Sequence, residues 1–489
     1  MDMAHRLGIA TLLLGLTATL LGACATNPVT GGSDFVLMSE EQEITLGRKY
    51  NAEILKEMPA YDDPELERLV QRVGAKLAAN SHRGDLIYRF TVVDSKTVNA
   101  FALPGGYIYI TRGLLAYLNS EAELAAVLGH EIGHVTARHS VRQHSTATLT
   151  GLLGAVLASS TGIQGADTLT NLAGTAIVRG YGREHELEAD RLGAEYLARS
   201  GYDPDAMLQV VGVLKNQETF ETAAAKKEDR EANTYHGLFA THPDNDARLQ
   251  EVVHAARQYK TASTVTINRD SFLQALDGLT FGDGDKEGIV RDNRFYHRKM
   301  DFTLTFPNGW RIENKPEKII AQPAANDGLI QLTVTDLNKR ITPEQFMEQR
   351  LKLENMRQGE PFTSSGMEGY TAIANGKTPY GTRAVRYVVL YRNGSAFIIA
   401  GAAKATRPGA KYDAEILATA RSLRALSAAD AALAAVKKLA LIRAGRHARY
   451  RSLAADSPIP NYPEEQLRLL NGNYPDGEPV PGQLLKIVR

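Results

Sequence analysis

The stretch "SEAELAAVLGHEIGHV", residues 120–135, constrains the fold of this chain more than any other. Ser120 and Glu123 form a capping-box pattern, so a helix opens there. Leu124, Ala125, Ala126, Val127, Leu128, Ile132 and Val135 then put apolar side chains on every side of it. A helix that is apolar all round belongs inside a core. This one takes His130, Glu131 and His134 in with it, and burying such groups is costly unless they find partners. The two histidines stand four residues apart on one helix face, close enough for both imidazoles to reach a single ion. A glutamate beside the first can activate a bound water. With 12 histidines in 489 residues, the pattern arises by chance in roughly one such chain in fifty, so its setting must decide its meaning.

Catalytic zinc takes three protein ligands and keeps one position open. The stretch "YGREHELEADRLGAEYLARSG", residues 181–201, offers Glu184, Glu186, Glu188 and Asp190 for the third. On a helical wheel Glu184, Glu188, Arg191 and Glu195 share a charged stripe, which predicts a solvated face. Glu186 and Asp190 share the opposite stripe with Ala189, Gly193 and Leu197. These inward carboxylates need a reason to be buried. Glu186 as third ligand, with Asp190 one turn on accepting a ligand histidine's N–H, supplies one. A structural ion pair with Arg183 or Arg138 is the alternative. His185 points away from Glu186 and is a poor ligand candidate.

At 489 residues the chain exceeds one compact core, and 43% apolar with 23% charged residues describes globular protein. Lys plus Arg equals Asp plus Glu at 56 each, so no single-sign field exists and nucleic acid is not expected as a partner. No Walker, Rossmann or Gly-x-Ser-x-Gly sequence occurs. The single cysteine, Cys24, closes "HRLGIATLLLGLTATLLGAC", whose apolar run from Leu7 to Leu21 reads as a secretory h-region. The ending Leu21-Gly22-Ala23-Cys24 resembles a bacterial lipoprotein signal, which makes residues 1–24 a signal and Cys24 a lipidation site. A plain signal anchor is the alternative. Ala25 after the cysteine resembles sorting to the outer membrane, so the expected place is its periplasmic side, lipid-anchored.

The fold expectation is an α+β multidomain chain. Residues 25–262 form a mainly helical domain of zincin type with a small β-sheet, made of "YRFTVV" (88–93) and "GYIYIT" (106–111) with "NAFALPGG" (99–106) as a loop between them. "LTGLLGAVLAS" (149–159) predicts a buried or lid helix, with membrane contact as the alternative, and "AAAKKEDREAN" (223–233) a solvated helix or loop. Residues 263–427 form an α+β accessory domain. Its strands include "DFTLTFPNGW", "GLIQLTVTD" and a hairpin turned by Asn393-Gly394, and "TPEQFMEQRLKLENM" and "YDAEILATARSLRAL" are its helices. Residues 428–489 form a small C-terminal module: an Ala-rich helix, then "KKLALIRAGRHARYR" as a solvated helix face, then a tail.

"HEIGH" followed by "EHELEAD" resembles zinc metalloendopeptidase family forty-eight, as do "NPVTGG", "LMSEEQEITLG", "NAFALPGG" and "THPDNDARL". The resemblance covers about residues 25–260. It implies His130, His134 and Glu186 as ligands of one Zn2+ per chain, and Glu131 as catalytic base. It also implies His242 near the zinc, as a reversible fourth ligand, and Arg248 near the substrate oxyanion; for that pair a polar loop and cap is the alternative. Gly182 departs from the serine that many members carry there. Asn99, Ala100, Phe101, Gly105 and Gly106 could offer a strand to an extended peptide, or Pro104-Gly105-Gly106 could simply turn into a core strand. The tail "EEQLRLLNGNYPDGEPVPGQLLKIV" resembles in part a LysM module, which implies peptidoglycan contact, although the usual Gly-Asp-Thr is missing and a purely structural tail is the alternative. The expected function is hydrolysis of unfolded or misassembled envelope polypeptides. An assembly factor with a shut or structural zinc site is the rival reading, and a cell-wall-binding protein with a vestigial protease domain a third.

Overall fold

The computed structural model describes residues 24–146, 148, 181–228, 232, 254–255, 258, 266–286, 288–315, 317–405 and 411–489. The architecture is mixed α+β and divides into two compact units, one of residues 1–281 with 438–489, the other of residues 282–437. This partition differs from the expected boundaries at 262/263 and 427/428. The last residues do not stand as a module of their own; they return to the first unit.

In that unit a two-stranded ribbon, β1 (Cys24–Thr26) and β2 (Ser33–Phe35), precedes helices α1 (Glu40–Glu57) and α2 (Pro64–Ala79). A three-stranded sheet follows, in the order β3 (Arg89–Val93), β5 (Tyr107–Thr111), β4 (Ala100–Leu103). The parallel pair β3–β5 matches the two predicted strands. The stretch read as a loop between them is the edge strand β4, antiparallel to β5. Its Pro-Gly-Gly ending marks the turn after the strand, and that punctuation masked the strand before it. Helix α3 (Arg112–Tyr117) leads to α4 (Glu121–Thr136), in which every residue is buried. Ser120 caps α4 through Oγ to Glu123 N, while the Glu123 carboxylate reaches back to Asn119 N at 2.8 Å. Helices α5 (Arg183–Arg199), α6 (Ala206–Lys227) and α7 (Arg269–Ala275) and strand β6 (Thr280–Phe281) complete the run.

The second unit is built on a seven-stranded antiparallel sheet, with β10 (Arg311–Lys315), β11 (Lys318–Gln322), β12 (Gly328–Asp336), β16 (Ser395–Ala403), β15 (Gly381–Arg392), β14 (Met367–Thr378) and β13 (Arg357–Ser364) in that order. A smaller sheet of β7 (Ile289–Arg291), β8 (Arg294–His297) and β9 (Phe302–Thr305) lies in the same unit. Arg392 pairs with Ser395, and both Asn393 and Gly394 have positive φ, as a two-residue turn of the predicted hairpin requires. Helices α8 (Pro343–Gln349), α9 (Asp413–Arg421) and α10 (Ala428–Leu433) are each shorter than the stretches read as helical.

The basic run beginning at Lys437, read as a helix face, opens with strand β17 (Lys437–Arg443). Leu439 and Leu441 alternate along it, and Ala444-Gly445 follows too soon for a helix to form. Helices α11 (Tyr450–Ala455) and α12 (Pro463–Leu470) and strand β18 (Leu484–Val488), antiparallel to β17, finish the chain. Leu467, Leu470, Leu484 and Val488 are buried in the core that also holds Leu124 and Leu128. Lys486 of β18 is fully buried, and its Nζ donates to the carbonyls of Ala116 and Leu118 at 2.7 and 2.6 Å. Burial pushes this amine down to about 7. Among the described residues no helix is long and apolar enough to cross a membrane. The predicted segment 149–159 and the secretory run 7–21 lie outside the described residues.

Candidate metal centre

Two helices carry the centre, and glycines bring them together. A Cβ on Gly133 would stand 2.8 Å from the Ala189 carbonyl oxygen, and one on Gly193 would stand 3.0 Å from His130 N. The α4 and α5 backbones therefore touch, and Glu186 and Asp190 come level with His130 and His134. Gly133→Val is expected to pry the helices apart, costing about 1–3 kcal/mol from overpacking. Thermal melting and zinc titration of that variant check this: unchanged melting and affinity would show that the close approach is dispensable.

His130 Nε2 and His134 Nε2 are 3.0 Å apart. Glu186 places Oε2 3.6 Å from the first and Oε1 3.7 Å from the second. The three ligand atoms lie within 4.8 Å of one another, and all three residues are buried. Two imidazole nitrogens and one carboxylate oxygen, converging in a buried site, are a donor set that fits zinc. The outer nitrogens are also engaged. Asp190 Oδ1 accepts from His130 Nδ1 at 2.8 Å, and Asp190 is fully buried. His134 Nδ1 lies 2.8 Å from His139 Nδ1, and His139 Nε2 lies 3.0 Å from Glu188 Oε2. Each ligand imidazole thus turns its Nε2 inward. Arg138 does not pair with Glu186 or Asp190; its Nε donates to Glu43 at 3.0 Å. Glu131 is buried on α4 beside the ligands.

Several residues escaped the sequence reading. Glu188, assigned to a solvated stripe, is only 26% exposed because His139 and Arg142 both close on it. The hydrogen bond from His139 holds its carboxyl below the usual range. His185 is no ligand, but it stacks on His139 with ring centroids 4.3 Å apart, and burial with His139 nearby pushes it down to about 4. Tyr181 lies flat against His134, ring centroids 4.1 Å apart, and its hydroxyl meets Ser140 Oγ at 2.5 Å. Burial holds that phenol protonated. His139 follows the motif closely in sequence, but five residues past His134 is the wrong offset for a continuous helix. It arrives because α4 ends at Thr136 and Arg138 takes a positive φ of 55°.

Of the strand residues, Ala100 and Phe101 lie in β4, which packs against α4 and is at the sheet edge. Asn99 donates from N to Thr111 Oγ1 at 3.1 Å. Gly105 and Gly106 are buried in the turn after β4 with φ of +76° and +85°; Gly105 N donates to Glu43 Oε1, and Gly106 O accepts from Arg89 N. His242 and Arg248 lie outside the described residues.

A family model described as peptidase family M48 matches residues 64–256. The beta-barrel assembly-enhancing protease of Yersinia pestis is 32% identical over 280 residues, covering 53% of this chain and 55% of that protein. Its counterpart in Escherichia coli (strain K12) is 31% identical over 294 residues, 58% of each chain. The mitochondrial metalloendopeptidase OMA1 of Arabidopsis thaliana is 31% identical over 186 residues, 38% of each chain. The chain spans little more than half the length of the bacterial relatives it matches.

Proposed function

From the match of peptidase family M48 to residues 64–256, we infer that this chain is a zinc-dependent endopeptidase acting on envelope proteins. The observation that supports it most is the buried convergence of His130, His134 and Glu186, with both outer imidazole nitrogens already engaged. His130 and His134 would hold one zinc ion with Glu186, and Asp190 would orient His130. The ion, when bound, supplies Lewis-acid polarisation of the scissile carbonyl and a more acidic water. Glu131 would be the group that accepts a proton from the attacking water and returns it to the leaving amine. The edge strand β4, which carries Ala100 and Phe101, offers an outer edge along which an extended polypeptide can lie, while Asn99 N and O are already engaged with Thr111. His242 is assigned to the neighbourhood of the zinc and Arg248 to the oxyanion, both by family resemblance.

The relatives named as beta-barrel assembly-enhancing proteases support quality control of misassembled envelope proteins as the biological role. The Cys24 signal supports a lipid anchor on the periplasmic side of the outer membrane. The tail is a structural brace by its buried Leu467, Leu470 and Lys486, and peptidoglycan contact is left to its outer face.

The test is zinc per chain together with cleavage of casein by the full chain. We expect about one zinc, cleavage that a chelator stops and zinc restores, and a lower melting temperature on chelation. Binding at a thousandfold excess over Kd stabilises by about 4 kcal/mol, so the shift is several degrees. A chain that holds no zinc, or whose cleavage ignores the chelator, would sink the reading.

A further inference from the structure

We propose that His139, held by Glu188, is a positioning residue that fixes the tautomer of His134 and so presents its Nε2 lone pair to the ion. The proposal rests on the zinc reading above. His139 touches neither ion nor substrate in that reading; it acts through His134.

The donors decide the argument. A carboxylate oxygen only accepts, so the 3.0 Å contact between His139 Nε2 and Glu188 Oε2 puts the proton on that nitrogen. A neutral imidazole then carries its lone pair on Nδ1. That atom faces His134 Nδ1 at 2.8 Å, so His134 is the donor there. The one lone pair left on His134 is at Nε2, which faces His130 Nε2 at 3.0 Å and Glu186 Oε1 at 3.7 Å. His139 is completely buried, so neither of its nitrogens is open to solvent. The opposite arrangement, with the proton on His139 Nδ1, would force the His134 proton onto Nε2 and block metal binding.

The two ligand histidines are therefore oriented by different devices. Asp190 reaches His130 directly. The Glu188 carboxylate acts on His134 through a second imidazole. The relay is clamped on all its members. Arg142 Nη1 lies 3.2 Å from the same Glu188 oxygen. His185 stacks on His139 at 4.3 Å, and Tyr181 covers His134 at 4.1 Å. An imidazole in this place cannot rotate without losing a ring contact and a hydrogen bond.

The experiment strips the full chain of zinc and measures zinc affinity by competition with a chromophoric chelator. Outer partners of metal-bound histidines are worth roughly 10–100-fold in affinity, and His139→Ala is expected to lose that much. Glu188→Ala frees His139 to flip and should weaken zinc in the same direction by less. His139→Gln, whose amide oxygen can accept from His134 Nδ1, should keep more affinity than His139→Ala. A merely structural role would lower the melting temperature of the zinc-free chain in all three and leave zinc affinity alone. Affinities within twofold of the parent for His139→Ala and Glu188→Ala overturn the proposal. If His139→Ala does not fold, Glu188→Ala decides by the same criterion. A parent chain that takes up no zinc would instead overturn the peptidase reading, and the relay with it.

Discussion

Glu131→Gln should leave zinc bound and lower peptide cleavage by roughly 10²–10⁴-fold, the range over which a positioned proton carrier contributes. The size follows from what the substitution changes. Glutamine keeps the shape of the side chain in a site only 1% exposed, so α4 and its packing are preserved. It cannot take a proton at the pH of the assay. The ligand atoms belong to His130, His134 and Glu186, and the outer nitrogens of the two histidines meet Asp190 and His139. Zinc stoichiometry and cleavage are measured side by side on parent and variant. Retained zinc with lost cleavage assigns Glu131 the proton transfer. Loss of zinc would mean that Glu131 serves the site's shape. Cleavage at the parental rate would remove it from the mechanism altogether. The same variant separates the peptidase from an assembly factor, because a chaperone would keep its function without this carboxylate.

The centre was legible where one helix carries its own periodicity. His130 and His134 are on one face of α4 by spacing alone, and the wheel of α5 separated Glu186 and Asp190, both fully buried, from exposed Glu184 and Arg191. The same wheel misjudged Glu188. A wheel tells which residues share a face, but not what covers the other face, and here His139 and Arg142 cover it. His139 was hidden by a helix end. Strand β4 was hidden by the Pro-Gly-Gly after it, and β17 by lysines and arginines that suit a helix as well as a strand. The hairpin β15–β16 was legible because Asn-Gly forces its turn. Long-range partners such as Lys486 on the Ala116 and Leu118 carbonyls have no local signal, since 370 and 368 residues separate them.

Glu43 is the other case of that kind, and its removal should be the most damaging change outside the centre. Its carboxylate, on α1, is 1% exposed between two guanidinium groups that are 6% and 8% exposed. Oε1 accepts from Arg83 Nη1 at 2.9 Å and from Gly105 N at 3.3 Å, and Oε2 accepts from Arg138 Nε at 3.0 Å. Arg83 Nη1 also donates to the Val135 carbonyl at 3.1 Å, in the last turn of the zinc helix. One carboxylate thus ties α1, the turn after β4 and the end of α4. Glu43→Ala leaves two buried cations facing each other, and the Glu40 that remains beside Arg83 is 57% exposed. Breaking a buried ion pair from one side costs about 3–5 kcal/mol. For a domain of this size that is a fall in melting temperature on the order of 10 °C. Glu43→Gln keeps two of the acceptor contacts without the charge and should fall by less. Because the end of α4 leads through Arg138 to His139, zinc affinity should weaken alongside stability. A melting temperature within about two degrees of the parent would show that water or Glu40 compensates both arginines, and that the N-terminal helix is not what holds the end of the zinc helix in place.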